Sequence, residues 1–296
     1  MIISDFGMDT ASLAGPLDAK LAAVRQAGFS QVMISASDIV GHPGGFAAGV
    51  RAVRNSGLAV TGLKTLRDFE GLAGRLHEYK VDVAKSMLEA CQELGGRLLL
   101  VEASTSSHAS TSTDVLVRDL RALGILAIPK RIRIAFKGAS WSRTAGNFAA
   151  ASELVLPANC RNLGLAIDAL DLLAAEIPLD DLDAIDPEKI FLVQLSDYWW
   201  QSVYSISGKA ATETRFRVFP GEGTHSADLA ALVNKLAAIG YGGSYSFDVY
   251  NDDYQQMPQG TVVNRARRAA EWLEETVLRR SLPVPNIARS RRTAED

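Results

Sequence analysis

Charged and polar residues recur where short apolar runs of this chain end: Asp38, Lys64, Arg67, Asp68, Glu70, Glu102, Ser104, Lys137, Asp168, Gln194, Asp197, Arg217, Glu222 and Asp248. The types define a chemistry. Asp168, Asp248 and Glu222 can move protons. Lys64, Arg67 and Arg217 form a basic group, and a forked guanidinium suits a carboxylate or phosphate on a substrate. Gln194 and His108 join that group as candidate substrate contacts. His42, His108 and His225 fall in loops, each readable as a solvated side chain or a proton carrier, whereas His77 sits inside a helical segment. Arg67 has a second reading, a local salt bridge with Asp68 or Glu70. In the loop Pro220-Gly221-Glu222-Gly223, Glu222 is either a hydrogen-bond anchor or a general base. Tyr198, Trp199 and Trp200 read as a hydrophobic lid or an oligomer contact.

The elements that must position these residues repeat a simple order, a β-rich run and then a helical segment. Strands are expected at 2–7, 30–35, 58–63, 97–102, 131–137, 161–168, 189–195 and 243–248, with little polar alternation, as in parallel strands covered on both faces. Helices are expected near 15–28, 44–56, 73–94, 113–128, 145–157, 225–239 and 258–281, with shorter pieces over 170–186 around Pro178. Repeated β-then-α order implies a parallel sheet with right-handed crossovers. Eight such units close a (β/α)8 barrel, and no G-x-G-x-x-G turn follows the first strand to favour a doubly wound sheet. One domain is expected over 1–281, with a loosely ordered tail at 282–296. In a barrel, strand C-termini and the loops after them form the site. The connection 197–224 is unusually long, which marks it as functional.

Composition narrows the class further. With 47% hydrophobic and 22% charged residues and a net charge of -3, the 296-residue chain is of ordinary globular type. The mild acidity excludes a dense basic face for nucleic acid. Cys91 and Cys160 are too few and too unpatterned for a disulfide framework or a zinc site. No signal peptide or bilayer-spanning apolar stretch is read, so a cytoplasmic location is expected.

Ordered motifs then carry a resemblance. They begin with Leu13-Ala14-Gly15-Pro16-Leu17-Asp18-Ala19-Lys20-Leu21, Ala27-Gly28-Phe29, Asp38 and Arg67-Asp68-Phe69-Glu70-Gly71. Trp141 with Arg143, Asn162-Leu163-Gly164-Leu165 before Asp168, and Val193-Gln194-Leu195-Ser196-Asp197 continue the series. Phe216 to Gly223 and Gly240-Tyr241-Gly242-Gly243 complete it. The set resembles bacterial 3-dehydroshikimate dehydratases, within the xylose-isomerase-like TIM barrels of sugar phosphate isomerase/epimerase type. It runs in order from about residue 13 to 252. The resemblance implies a divalent cation, Mg or Mn, held by Glu, Asp, Gln or His, and Glu at the ends of strands five to eight. Those positions map to Lys137, Asp168, Gln194 and Asp248. Histidines that the resemblance implies near strands five and six are Thr144 and Asp171 here, and a Gln before the Arg-Asp-Phe-Glu-Gly run is Lys64.

Lys137 alters the expected chemistry, because an ammonium offers donors only and cannot ligate a cation. Three carboxylates and a dication sum to -1, and so do Asp168, Asp248 and Lys137. The expectation is therefore a metal-free pocket in which Lys137 bridges Asp168 and Asp248 with Gln194 nearby. Should a metal bind after all, Asp168, Gln194 and Asp248 would hold it. Lys137 turned outward to solvent is the other reading. A Schiff-base role is a further one, opposed by flanking carboxylates that favour the charged form. The expected function is a lyase or isomerase acting on an anionic, polyhydroxylated keto acid or sugar, with Lys137, Asp168, Asp248 and Glu222 as catalytic candidates. The alternative is a non-catalytic, metabolite-binding descendant. A homo-oligomer is compatible with either. An endonuclease-like reading is disfavoured by the missing His-rich cluster.

Overall fold

The computed structural model describes residues 5–200 and 215–278. The tail expected at 282–296 lies outside them. Eight parallel strands close a barrel in sequential order, β1 to β8, with β8 pairing back onto β1. They are β1 Phe6–Asp9, β2 Gln31–Ser35, β3 Ala59–Arg67, β4 Leu98–Glu102, β5 Arg133–Lys137, β6 Leu163–Asp168, β7 Ile190–Leu195 and β8 Ser244–Phe247. Helices between them are α1 Leu17–Gln26, α2 Ala36–Val40, α3 Phe46–Asn55, α4 Gly74–Glu93, α5 Thr113–Ala127, α6 Phe148–Val155 and α7 Ala169–Ala174. Then come α8 Ser226–Ala238 and α9 Gln259–Trp272.

Helical spacing builds the outer layer. Leu229, Leu232, Val233 and Leu236 recur at i, i+3, i+4 and i+7 on α8, and all are buried against the barrel. Each such side chain contributes roughly 1.5–3 kcal/mol by leaving water. Asn147 starts α6 by accepting the Ala150 amide at 2.9 Å, satisfying a donor that the first turn leaves unpaired.

Strand parity divides the core in two. Met33, Leu98, Leu100, Ala135, Ala166 and Leu192 fill the barrel interior with Phe191 beside them, while Leu99, Val101, Ile134 and Phe136 pack outward beneath the helices. Successive side chains on a strand alternate in direction. The inward rows thus continue from Leu100 to Glu102, Ala135 to Lys137, Ala166 to Asp168 and Leu192 to Gln194. Apolar below and charged above, the interior delivers polar groups to one end.

Two strands run past the ends expected from the sequence. The first was expected at 2–7, but Gly7, Met8 and Asp9 pair with Gln31, Val32 and Met33, so the strand ends at Asp9. The apolar Ile2-Ile3 pair drew that reading toward the N-terminus. The third runs to Arg67 instead of stopping at 63, so Lys64 lies within a strand and pairs with Ser35.

Candidate functional site

A cavity of about 380 Å³ opens at the C-terminal mouth of the barrel. Its charged lining is Lys64, Arg67, Glu102, Lys137, Arg217 and Asp248, and Ser35, Ser37 and Thr65 add hydroxyls. Lys137 is 3% exposed and turned inward. Its Nζ donates to Asp168 Oδ2 at 3.1 Å and lies 3.8 Å from Glu102 Oε1. The outward reading is thereby corrected: the parity of β5 carries this side chain into the barrel.

The bridge to Asp248 is made by a different lysine. Lys64 Nζ is 2.7 Å from Asp248 Oδ1 and 2.7 Å from Asp9 Oδ2. Lys137 reaches Asp168 but is not the residue that joins it to Asp248. Arg217, 1% exposed, takes the far side of Asp168 through Nη1 to Oδ1 at 2.9 Å and Nη2 to Oδ2 at 2.8 Å. Its Nη1 also donates to Ser196 Oγ at 2.9 Å. Gln194 Nε2 donates to Asp248 Oδ2 at 2.9 Å and to Asp9 Oδ2 at 3.3 Å. Ser246 Oγ donates to Asp9 Oδ1. The result is two linked clusters, Lys64 between Asp9 and Asp248, and Asp168 between Lys137 and Arg217.

This arrangement sets the protonation states. Burial pulls the Lys64 ammonium down, but the Asp248 and Asp9 carboxylates outweigh it and hold its pKa above the ordinary lysine value. Burial likewise raises Asp168 and Asp248 in isolation. Arg217 and Lys137 reverse that for Asp168 and hold it well below the carboxylate range. Lys64, Arg217 and Lys137 do the same for Asp248, which is lowered. Asp9 is the exception. Burial pushes it up to about 6, with Lys64 opposing and Asp248 reinforcing.

Other residues singled out in the sequence have different positions. Arg67 pairs with Glu102, Nε to Oε2 at 2.7 Å, and with neither Asp68 nor Glu70. Asp68 instead receives the Thr105 and Ser106 amides. Glu222 accepts from Tyr254 Oη at 3.0 Å and Arg265 Nη2 at 3.1 Å, an anchor between the β7–α8 connection and α9 and outside the cavity lining. His108 is exposed on the β4–α5 loop. His225 is buried, stacked on Tyr198 at 4.1 Å, and its Nε2 donates to the Trp200 carbonyl at 2.8 Å. The aromatic run divides: Tyr198 is buried, while Trp199 and Trp200 are exposed. Thr144 donates to Glu70 Oε1 at 2.5 Å, and Ser140 Oγ donates to Asp171 Oδ1 at 3.3 Å.

Asp9 and Ser246 were missed by the sequence reading. The signal for both was strand parity, because Phe6 and Met8 face outward and place Gly7 and Asp9 inward, as Tyr245 and Phe247 do for Ser246.

A closed parallel barrel with a polar, charge-lined mouth at its strand C-termini is the architecture of the (β/α)8 type. Residues 21–276 match the xylose isomerase-like TIM barrel family, and the chain belongs to that family. The 3-dehydroshikimate dehydratase of Pseudomonas putida is 30% identical over 266 residues, 90% of this chain and 41% of that protein. The chain therefore spans about two fifths of the length of that relative. Inosose isomerase of Bacillus licheniformis is 26% identical over 195 residues, 64% of this chain and 67% of that protein. A solved xylose isomerase-like TIM barrel/4-hydroxyphenylpyruvate dioxygenase fusion protein superposes with a TM-score of 0.86 at 28% identity, covering 95% of this chain and 45% of that one. The IOLI protein, crystallised with a zinc atom, has the same fold, with a TM-score of 0.75 at 19% identity over 96% of this chain and 100% of that one.

The divalent cation implied by the resemblance does not fit the residues present. Lys137 supplies donors where a ligand oxygen is needed. Both Asp168 oxygens accept from Arg217, and Asp248 accepts from Lys64 and Gln194. The Gln194 Oε1 is buried without a hydrogen-bond partner, but a single amide oxygen is no cage for a dication. Among the described residues, no group of three or more His, Cys, Asp or Glu side chains is arranged to hold a metal. No described helix is long and apolar enough to cross a membrane.

Proposed function

We propose that the chain is a lyase or isomerase acting on a small polyhydroxylated keto acid or keto sugar, with lysine ammonium groups in the electrophilic role. The observation that carries the reading is Lys137, inward-facing and 3.1 Å from Asp168, in a cavity that Asp248 also lines. A ketone oxygen placed against Lys137 or Lys64 would gain a charge-assisted donor where negative charge develops on proton abstraction. Asp248, held ionised, is the cavity carboxylate suited to take the proton beside that ketone. Returning the proton to a neighbouring carbon is isomerisation, and expelling a β-hydroxyl as water is dehydration. The names of the relatives, an isomerase and a dehydratase, support this shared first step. Asp168 and Arg217 position Lys137, and Glu222 anchors the loop.

Schiff-base chemistry at Lys137 has less support, since Asp168 and Glu102 both favour the charged amine. The exposed Trp199 and Trp200 support a lid or a contact between copies. The test is turnover of 3-dehydroshikimate and of inosose by EDTA-dialysed protein, followed by ketone loss and product spectrum. Turnover that disappears in Lys137→Met supports the reading. Ligand binding with no turnover of either compound returns the non-catalytic alternative.

A further inference from the structure

We infer that a cavity between α7 and α8 is a second binding site, taking a small organic ammonium ion with an apolar body. It shares no described lining residue with the barrel mouth, so it stands independently of the proposed reaction. The cavity measures about 400 Å³, a size suited to a small molecule. Leu173, Ile177 and Leu179 supply an apolar wall, and Glu176, Tyr198, His225 and Asp228 supply polar groups.

Tyr198 carries the assignment. It is 1% exposed and lines the cavity, yet none of the described residues hydrogen-bonds its hydroxyl, although a buried tyrosine ordinarily has such a partner. Burial, then the charges of Asp197, Asp228 and Glu176, hold that hydroxyl well above the usual tyrosine pKa, so its lone pairs stay open to a donor. His225 leaves a second gap. With Nε2 donating to the Trp200 carbonyl, Nδ1 faces Asp228 Oδ2 at 3.4 Å, and two acceptors confront one another. An ammonium N–H beside them supplies the missing donor. Glu176 adds a third acceptor under local opposition. It has a φ of 52° just past the end of α7, where glycine is favoured, and it places negative charge at a helix C-terminus, where the dipole disfavours it. A bound cation offsets that repulsion. Among the described residues no lysine or arginine pairs with Glu176 or Asp228.

Calorimetric titration of the wild-type chain at pH 8 compares benzylamine, benzyl alcohol and benzoate, which share a body and differ in charge. Benzylamine is expected to bind at one site, benzyl alcohol about ten-fold or more weakly, the size of one charge-assisted hydrogen bond, and benzoate not at all. Tyr198→Phe removes only the unpartnered oxygen, so it should weaken benzylamine about ten-fold without lowering the melting temperature. Asp228→Asn should weaken it by a similar factor. Glu176→Gly should do the same with stability kept, because glycine tolerates the left-handed φ. Residues with a merely structural role would instead lower the melting temperature and leave affinity unchanged. No binding of benzylamine, equal affinity for benzylamine and benzyl alcohol, or full affinity in both Tyr198→Phe and Asp228→Asn would overturn the inference. Lys137→Met, which alters the barrel mouth, should bind benzylamine as wild type does; loss of binding there would place the amine in the mouth and defeat the second site.

Discussion

Arg217 holds Asp168 through two parallel hydrogen bonds, 2.9 Å and 2.8 Å, with both side chains almost wholly removed from water. The pair joins the β7–α8 connection to the end of β6. It also fixes the carboxylate on which Lys137 rests.

Arg217→Ala should therefore destabilise the fold strongly. Removing one partner leaves Asp168 buried with Lys137 still beside it, and breaking a buried pair costs about 3–5 kcal/mol. Chemical denaturation at neutral pH checks it. Arg217→Lys should recover part of that loss, since an ammonium keeps the charge without the fork. Equal stability of Arg217→Ala and wild type would show that the pair carries little.

Glu70 supplies a pH signature outside the cavity. Burial pushes its carboxyl up to about 7, against the Thr144 hydroxyl and Ser104 amide that hold one oxygen, while Oε2 is buried without a hydrogen bond. A folded-state pKa above the unfolded value of 4.5 means that the native state binds the proton more tightly. That contribution is fully present below pH 4.5 and is lost as pH rises through about 7, by up to about 3 kcal/mol. Glu70→Gln should match wild type at pH 5 and exceed it in stability at pH 8. Parallel pH profiles for the two proteins would rule this out.

Lys137→Met and Lys137→Arg separate charge from shape. Both should fold, because Asp168 keeps Arg217. Met should lower kcat/KM by about 100-fold or more, the order seen when one oxyanion donor is removed. Arg retains the charge but brings a bulkier, planar head, so it should recover activity only in part. Steady-state kinetics on the better of the two ketones reads this directly, and an active Lys137→Met would remove the lysine from the chemistry.

Gly223→Ala tests the loop beside the site. An added Cβ would collide with Asp197 Oδ1 and lie 2.5 Å from the Tyr198 carbonyl oxygen. Asp197 Oδ1 accepts the Tyr198 and His225 amides, so the methyl group would displace the knot that fixes this connection. A loss of about 1–3 kcal/mol is expected by thermal unfolding. An unchanged melting temperature would mean that the loop yields freely.

Much of the architecture is legible in the amino-acid order. Leu98-Leu99-Leu100-Val101 and Ile190-Phe191-Leu192-Val193 read as strands because burial on both faces demands unbroken apolar runs, and eight β-then-α units close a barrel. The positions of Lys137, Asp168, Gln194 and Asp248 near strand ends follow from the same pattern. Partner choice does not. Lys64 and Lys137 are equivalent as residue types, and only closure of the barrel places Lys64 within 2.7 Å of both Asp9 and Asp248 while Lys137 meets Asp168. Asp9 and Ser246, separated by 237 residues, become neighbours solely because β8 pairs with β1. Local periodicity reports which face of an element is buried, whereas hydrogen-bond partners between strands depend on register and closure. Those are properties of the folded sheet and not of any short segment.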